Sequence, residues 1–155
     1  MSAVVKFDRP TAENITYIAE NMRAADRTEV WLSSREKPLE ALKSAVNCSD
    51  HRAVVVADGD PCGVFGLRRV NLLDGLGSPW LLGTNKLVDD KSILIRNSKD
   101  VIEEMVAACP RLVNYVHVDN KISIRWLKWL GFKIEQAEPY GPFNSMFHRF
   151  HMGFD

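Results

Sequence analysis

Apolar and polar positions along the chain switch between a period near 3.6 and a period of two, and the switches mark out the elements. Residues 3–7 form a short apolar segment stopped by Asp8-Arg9-Pro10, which predicts an edge strand. Thr11 is placed to cap a helix in which Ile15, Ile18, Met22 and Ala25 share a face. Asp26 and Glu29 stand in capping-box spacing, as do Ser33 and Glu36 ahead of Pro38, Leu39, Leu42 and Val46, so a broken helix or two short ones follow. A Val-rich run at 52–57 and the turn Asp58-Gly59-Asp60-Pro61 lead into a strand at 62–70, where Gly63 and Gly66 imply a bulge or a close backbone approach. A loop at 71–78 and a third short strand at 79–84 complete an antiparallel meander.

The second half repeats the switching. From 89 to 109 the pattern is helical, with Leu94, Ser98, Val101, Ile102, Met105 and Cys109 on one face; the helix starts either near Asp89 or at Ser98 as N-cap, and Pro110 ends it. Residues 111–118, rich in Val and Tyr, predict a buried strand. Asp119 or Asn120 then caps a short helix whose face is Ile122, Trp126 and Trp129 with Leu130, while Lys121, Arg125 and Lys128 fall largely elsewhere. Gly131 stops that helix, and Phe132 and Ile134 resume with period two. An aromatic connection at 139–144 precedes a closing strand at 147–154.

Composition narrows the class. A chain of 155 residues with 46% apolar and 26% charged positions has the make-up of one ordinary globular domain, taken as 1–155. Twenty basic residues balance twenty acidic ones, which gives no pull toward nucleic acid or an anionic membrane. No apolar run approaches the roughly 18 residues that a membrane helix needs, and the N-terminus lacks a signal-peptide core. Cys48, Cys62 and Cys109 are odd in number and widely spaced, as reduced thiols outside any zinc site would be. The expectation is a cytoplasmic protein.

Asn120, Ser123 and the pair Gly131-Phe132 together resemble the second signature of the GNAT N-acetyltransferase superfamily. The element order fits that resemblance: helices, a meander, a helix, a strand, a helix and a final hairpin. The fold it implies is α/β, a single GNAT-like domain whose mixed, mostly antiparallel sheet of six or seven strands splays at its centre and is flanked by about four helices. It also implies that Asn120 opens a helix lying beside the pantetheine arm of acyl-CoA.

The same resemblance exposes gaps. In the family the CoA pyrophosphate rests on backbone amides at the N-terminus of the central helix, in a loop that carries glycines so that the phosphates approach closely. Here no glycine occurs between Gly83 and Gly131. The matching stretch holds Ile93, Leu94 and Ile95, with Arg96, Asn97, Ser98 and Lys99 left as candidate cofactor-binding residues beside Asn120. The family's general acid, a Tyr seven residues after the motif Asn, is Leu127, and the usual Glu base has no counterpart at 80–84. Tyr140, if it leans into the cleft, and His117, a core or cleft-edge histidine, are the remaining candidate catalytic groups. His148 and His151, three apart in a strand, fall on opposite faces and do not form a metal pair.

Three further stretches, Pro79-Trp80-Leu81-Leu82-Gly83-Thr84, Arg125 through Phe132, and Glu138-Pro139-Tyr140-Gly141-Pro142-Phe143 with Phe147-His148-Arg149-Phe150, are similar to a narrower group. These are GNAT-like internal virion or virion-morphogenesis proteins of short-tailed, podovirus-type bacteriophages. That resemblance implies a virion-assembly protein with a protein partner, without ordinary acetyl transfer and with no cofactor. One alternative is a working N-acetyltransferase using acetyl-CoA on a protein or small-molecule amine. The other is a module that binds CoA or a nucleotide without catalysis.

Overall fold

The computed structural model describes residues 3–154; Met1, Ser2 and Asp155 lie outside the described residues. The elements run β1 (Val5–Asp8), α1 (Ala12–Glu20), α2 (Ala24–Ser34), α3 (Pro38–Asn47), β2 (Asp50–Ala57), β3 (Asp60–Asn71), β4 (Leu76–Gly83), α4 (Asn85–Asp89), α5 (Lys91–Ala108), β5 (Arg111–His117), α6 (Lys121–Leu130), β6 (Lys133–Ile134), β7 (Glu138–Tyr140) and β8 (Ser145–Met152). One sheet contains all eight strands in the order β1-β2-β3-β4-β5-β8-β6, with β7 also paired to β8. Every pairing is antiparallel except that of β4 with β5. The architecture is the expected α/β one. The counts exceed the expected six or seven strands and four helices because the chain after Phe132 forms two separate short strands, residues 24–47 form two helices, and α4 is a helix of its own.

Alternation on β2 decides how the two layers of helices attach. Val54 and Val56 point to one face and pack with Ile15, Ile18 and Met22 of the α1 side and Leu42 of α3. Val55 and Ala57 point to the other and pack with Leu87 of α4 and Ile93 of α5. A second large cluster joins Met105 of α5, Leu127 of α6, Leu112 and Val116 of β5, and Phe132 with Phe150. Strands buried on both faces read as unbroken apolar runs, and so Val54-Val55-Val56 does. Full burial of side chains such as Ile18 and Leu42 contributes roughly 1.5–3 kcal/mol apiece.

Local chemistry follows the sequence reading at several ends and departs from it at others. Thr11 and Asn14 form a reciprocal capping box on α1, and Gly131 takes φ +104° to end α6. Gly66 is a close approach, since a Cβ there would lie 2.9 Å from the Trp80 ring. Asp26, expected as a cap, is not one: α2 begins at Ala24 with Arg23 at the N-cap position, and Asp26 is turned inward instead. On α6 the buried stripe centres on Leu127, while Ile122 and Trp129 are exposed. Trp126, one position off that stripe, is half-buried and donates its indole N–H to Ser98 Oγ at 3.0 Å.

Candidate functional site

The parallel pair β4 and β5 is bonded only at its start, Leu76 with Arg111 and Gly77 with Leu112. Beyond that the strands part, and a cavity of about 450 Å³ occupies the gap and the space between the flanking helices. Its walls include Trp80 on β4, Asn114 and Tyr115 on β5, Trp126 on α6, Tyr140 on β7 and Glu29 on α2. The volume is that of a small-molecule or cofactor site. Asn114 reaches across the opening: its Nδ2 donates to Pro79 O at 2.8 Å, and its Oδ1 accepts from Tyr115 N at 2.8 Å.

Helix α2 closes the far end with a buried polar network. Arg23 Nη1 donates to Asp26 Oδ1 at 2.6 Å and Nη2 to Asn120 Oδ1 at 3.2 Å. Asp26 Oδ2 accepts from Gly83 N at 2.8 Å, and Arg23 N donates to Gly83 O at 2.9 Å, so α2 is tied to the end of β4. Glu29 Oε1 accepts from His117 N and from Asn120 Nδ2, each at 2.9 Å, which ties it to the end of β5. Burial pushes the Asp26 carboxyl up to about 6 against the pull of Arg23. Burial pushes Glu29 up to about 7 against the hydrogen bonds of Asn120 and His117. A carboxyl poised near neutrality in a cleft is a candidate proton acceptor.

The candidates named from sequence scatter over this frame. Tyr140 does lean into the cleft, stacked on Tyr115 with ring centroids 3.8 Å apart. Burial and the neighbouring Tyr115 raise its pKa, so the phenol keeps its proton. His117 is buried, with its ring edge-on to Phe147 and its Nδ1 accepting from Asp119 N at 3.2 Å. Asn120 stands at the N-cap position of α6, yet its side chain makes no cap bond because Arg23 and Glu29 occupy it.

Arg96, Asn97, Ser98 and Lys99 are corrected outright as a helix N-terminus. The helix starts at Lys91, so these residues lie past its first turn and their amides are committed to backbone bonds. Three of the side chains are engaged elsewhere and Arg96 is exposed: Asn97 Nδ2 donates to Ile93 O, Ser98 donates to Leu94 O and accepts from Trp126, and Lys99 lies over the Trp129 ring at 4.4 Å. Ser98→Ala is expected to lower stability by about 1–3 kcal/mol, through the stranded Trp126 indole. A urea midpoint measurement checks this.

The true start of α5 is already capped. Asp90 Oδ1 accepts from Ser92 N at 3.0 Å and from Ser92 Oγ at 2.6 Å, and these two bonds hold its carboxyl below the ordinary range. Ile93, in the same turn, is buried. The approach from β4 is filled by Leu87, which packs so closely on Gly83 that a Cβ there would lie 2.5 Å from its Cδ2. Lys86, the nearest basic side chain before the helix, is held by Asp60 at 2.8 Å. An anion arriving at these amides meets the Asp90 carboxylate and aliphatic carbon, with the exposed Lys91 as the cation of that turn; because Asp90 already holds the Ser92 amide, the residues present do not fit a CoA diphosphate.

Sequence reasoning passes over Glu29, Asp26, Asp90 and Leu87 as site residues. Capping-box spacing is a reason to look outward from Glu29, whereas its fate is set by β5 and α6, some ninety positions away. For Asp90 a local signal exists: Asp two residues before Ser at a helix start is an ordinary cap.

No protein-family model and no curated protein sequence matches the chain. Solved structures do. A ribosomal L7/L12 α-N-protein acetyltransferase in complex with coenzyme A aligns at TM-score 0.68 and 10% identity, over 97% of this chain and 96% of that one. A spermidine N-acetyltransferase from Vibrio cholerae in complex with CoA and spermine aligns at TM-score 0.68 and 13% identity, over 96% and 94%. A ribosomal-protein-S5-alanine acetyltransferase from Vibrio fischeri aligns at TM-score 0.67 and 17% identity, over 100% and 95%. The likeness runs nearly end to end, and at these identities it establishes one thing: the chain has the GNAT acetyltransferase fold.

Proposed function

We propose that this chain is a phage virion-assembly protein that uses the GNAT fold to bind a protein partner in the host-cell cytoplasm and does not carry out ordinary acetyl transfer. The observation that carries the loss of transfer is the Asp90 carboxylate on the first amides of α5, with Leu87 packed against Gly83. The virion role rests on the resemblance of the aromatic and proline-glycine stretches. Its support is that two aromatics of those stretches, Trp129 and Phe143, stand outside while the others are buried or half-buried: Phe143 is 45% exposed and stacks at 5.8 Å on Trp31 of α2, which is 44% exposed, with Arg35 over the Phe143 ring. Aromatic and Arg side chains of this kind anchor protein interfaces.

One observation favours the enzyme reading. Glu29 lies at the cleft end with a pKa of about 7, where it would accept a proton from an ammonium, and Tyr140 lines the same cavity as a protonated phenol. An N-acetyltransferase acting on a protein or small-molecule amine would use such a pair. Calorimetry with acetyl-CoA separates the readings: no heat up to millimolar ligand is expected. Micromolar binding overturns the assembly reading, and release of free thiol in the presence of amines then distinguishes an enzyme from a module that only holds CoA.

A further inference from the structure

Where β4 and β5 part, both strands turn main-chain groups toward the opening rather than toward each other. On β4 the direction of each residue is fixed by its neighbours. Pro79 turns its carbonyl across the gap to Asn114, and Gly83 turns both its N–H and its carbonyl toward α2, away from β3. Main-chain groups in an antiparallel pair alternate by residue, so Leu81, midway between them, also turns its N–H and carbonyl into the gap. On β5, Arg111 N bonds Gly75 O, Tyr115 N bonds the Asn114 side chain and His117 N bonds Glu29. The Val113 and Tyr115 carbonyls therefore face the same gap.

The Asn114 carboxamide acts here as one peptide unit of a missing strand, donating to one side of the opening and accepting from the other. The walls suit alternating side chains: Trp80 and Leu82 border the α1 and α3 layer, while Leu81, Val101 and Trp126 border the α5 and α6 layer. The open length of β4, residues 78–82, spans roughly 16 Å at about 3.3 Å per residue. At the closed end stand two carboxyls, Asp26 and Glu29, of which Arg23 bonds only the first.

We infer that the gap between β4 and β5 receives an extended peptide strand from a protein partner, held by main-chain hydrogen bonds to Leu81 and Tyr115, with a basic side chain beside Glu29. The inference deepens the partner-binding reading above and rests on it. Binding of this kind takes affinity from backbone hydrogen bonds and specificity from alternate side-chain pockets.

The test selects a displayed library of random heptapeptides on the immobilised full chain and then measures synthetic copies of the recovered sequences. The peptides are expected to carry a Lys or Arg at one end and to slow hydrogen exchange of the Leu81 amide at least tenfold. Leu81→Pro removes the N–H that faces the gap together with a side chain packed beside Leu87 and Ile93, so Leu81→Ala is its control: binding is expected to weaken at least tenfold with proline and less than threefold with alanine. Glu29→Gln is expected to remove the preference for a basic end while leaving the chain folded. Peptides that bind without protecting Leu81, or no recovered peptides, overturn the inference. So does pantetheine, a diamide without phosphates, if it protects Leu81 where peptides do not. Binding of acetyl-CoA in the calorimeter is a separate failure, that of the assembly reading itself.

Discussion

Glu29→Gln is expected to raise stability at pH 8 by about 1–3 kcal/mol and to flatten most of the pH dependence between 5 and 7. In the folded chain Glu29 titrates at about 7 and Asp26 at about 6, against ordinary values of 4.5 and 3.8. Between about pH 4 and 7 the folded chain thus holds protons that the unfolded chain has released. Stability falls as pH climbs through that window and levels off above it. This is opposite to the usual acid denaturation, in which stability is lost on the acid side. Glutamine keeps an oxygen for His117 N and Asn120 Nδ2 while removing the buried charge. Urea midpoints at pH 5 and pH 8, for the parent and for Glu29→Gln, check both the sign and the size. The slope left in the variant reports Asp26 and lies at lower pH.

Arg23→Met is expected to cost about 3–5 kcal/mol, the usual penalty when one partner of a buried ion pair is removed. The Arg23 and Asp26 side chains are 8% and 5% exposed and 2.6 Å apart. Losing the guanidinium also strips Asn120 Oδ1 of its donor. The double variant Arg23→Met with Asp26→Leu is expected to recover much of that loss, because two well-packed apolar groups replace a pair whose desolvation nearly cancels its attraction. Incomplete recovery measures what the Gly83 amide loses with Asp26. Urea unfolding of the two singles and the double gives the coupling directly.

These two effects meet at the place where the sequence is hardest to read. Val54 to Val56, the Asp58-Gly59 turn, Thr11 and Gly131 announce their structures locally, because propensity, capping and turn chemistry act within a few residues. The element order follows from those local signals and leads to the fold. Asn120 is legible as the opening of a helix and illegible as the centre of a network, since its partners Arg23 and Glu29 lie ninety or more positions earlier. Ser98 misleads in the other direction. It has cap chemistry, but Asp90 has it too and stands two residues before Ser92, and the choice between the two starts depends on burial of Ile93 against Leu87 and Val55. The place of Tyr140 in the cleft depends on the hairpin's lean, which Gly141 permits by taking φ +80° within close reach of Leu32 O.

Closure of the first α5 turn to a diphosphate is tested most directly by following the backbone amide resonances of Ser92 and Ile93 in the full ¹⁵N-labelled chain as coenzyme A is added to millimolar concentration. The account predicts that neither signal moves, with the Asp90 carboxylate still bonded to the Ser92 amide. A saturable downfield shift of both, reporting phosphate in place of Asp90, would contradict it and return the chain to the CoA-dependent enzymes whose fold it has.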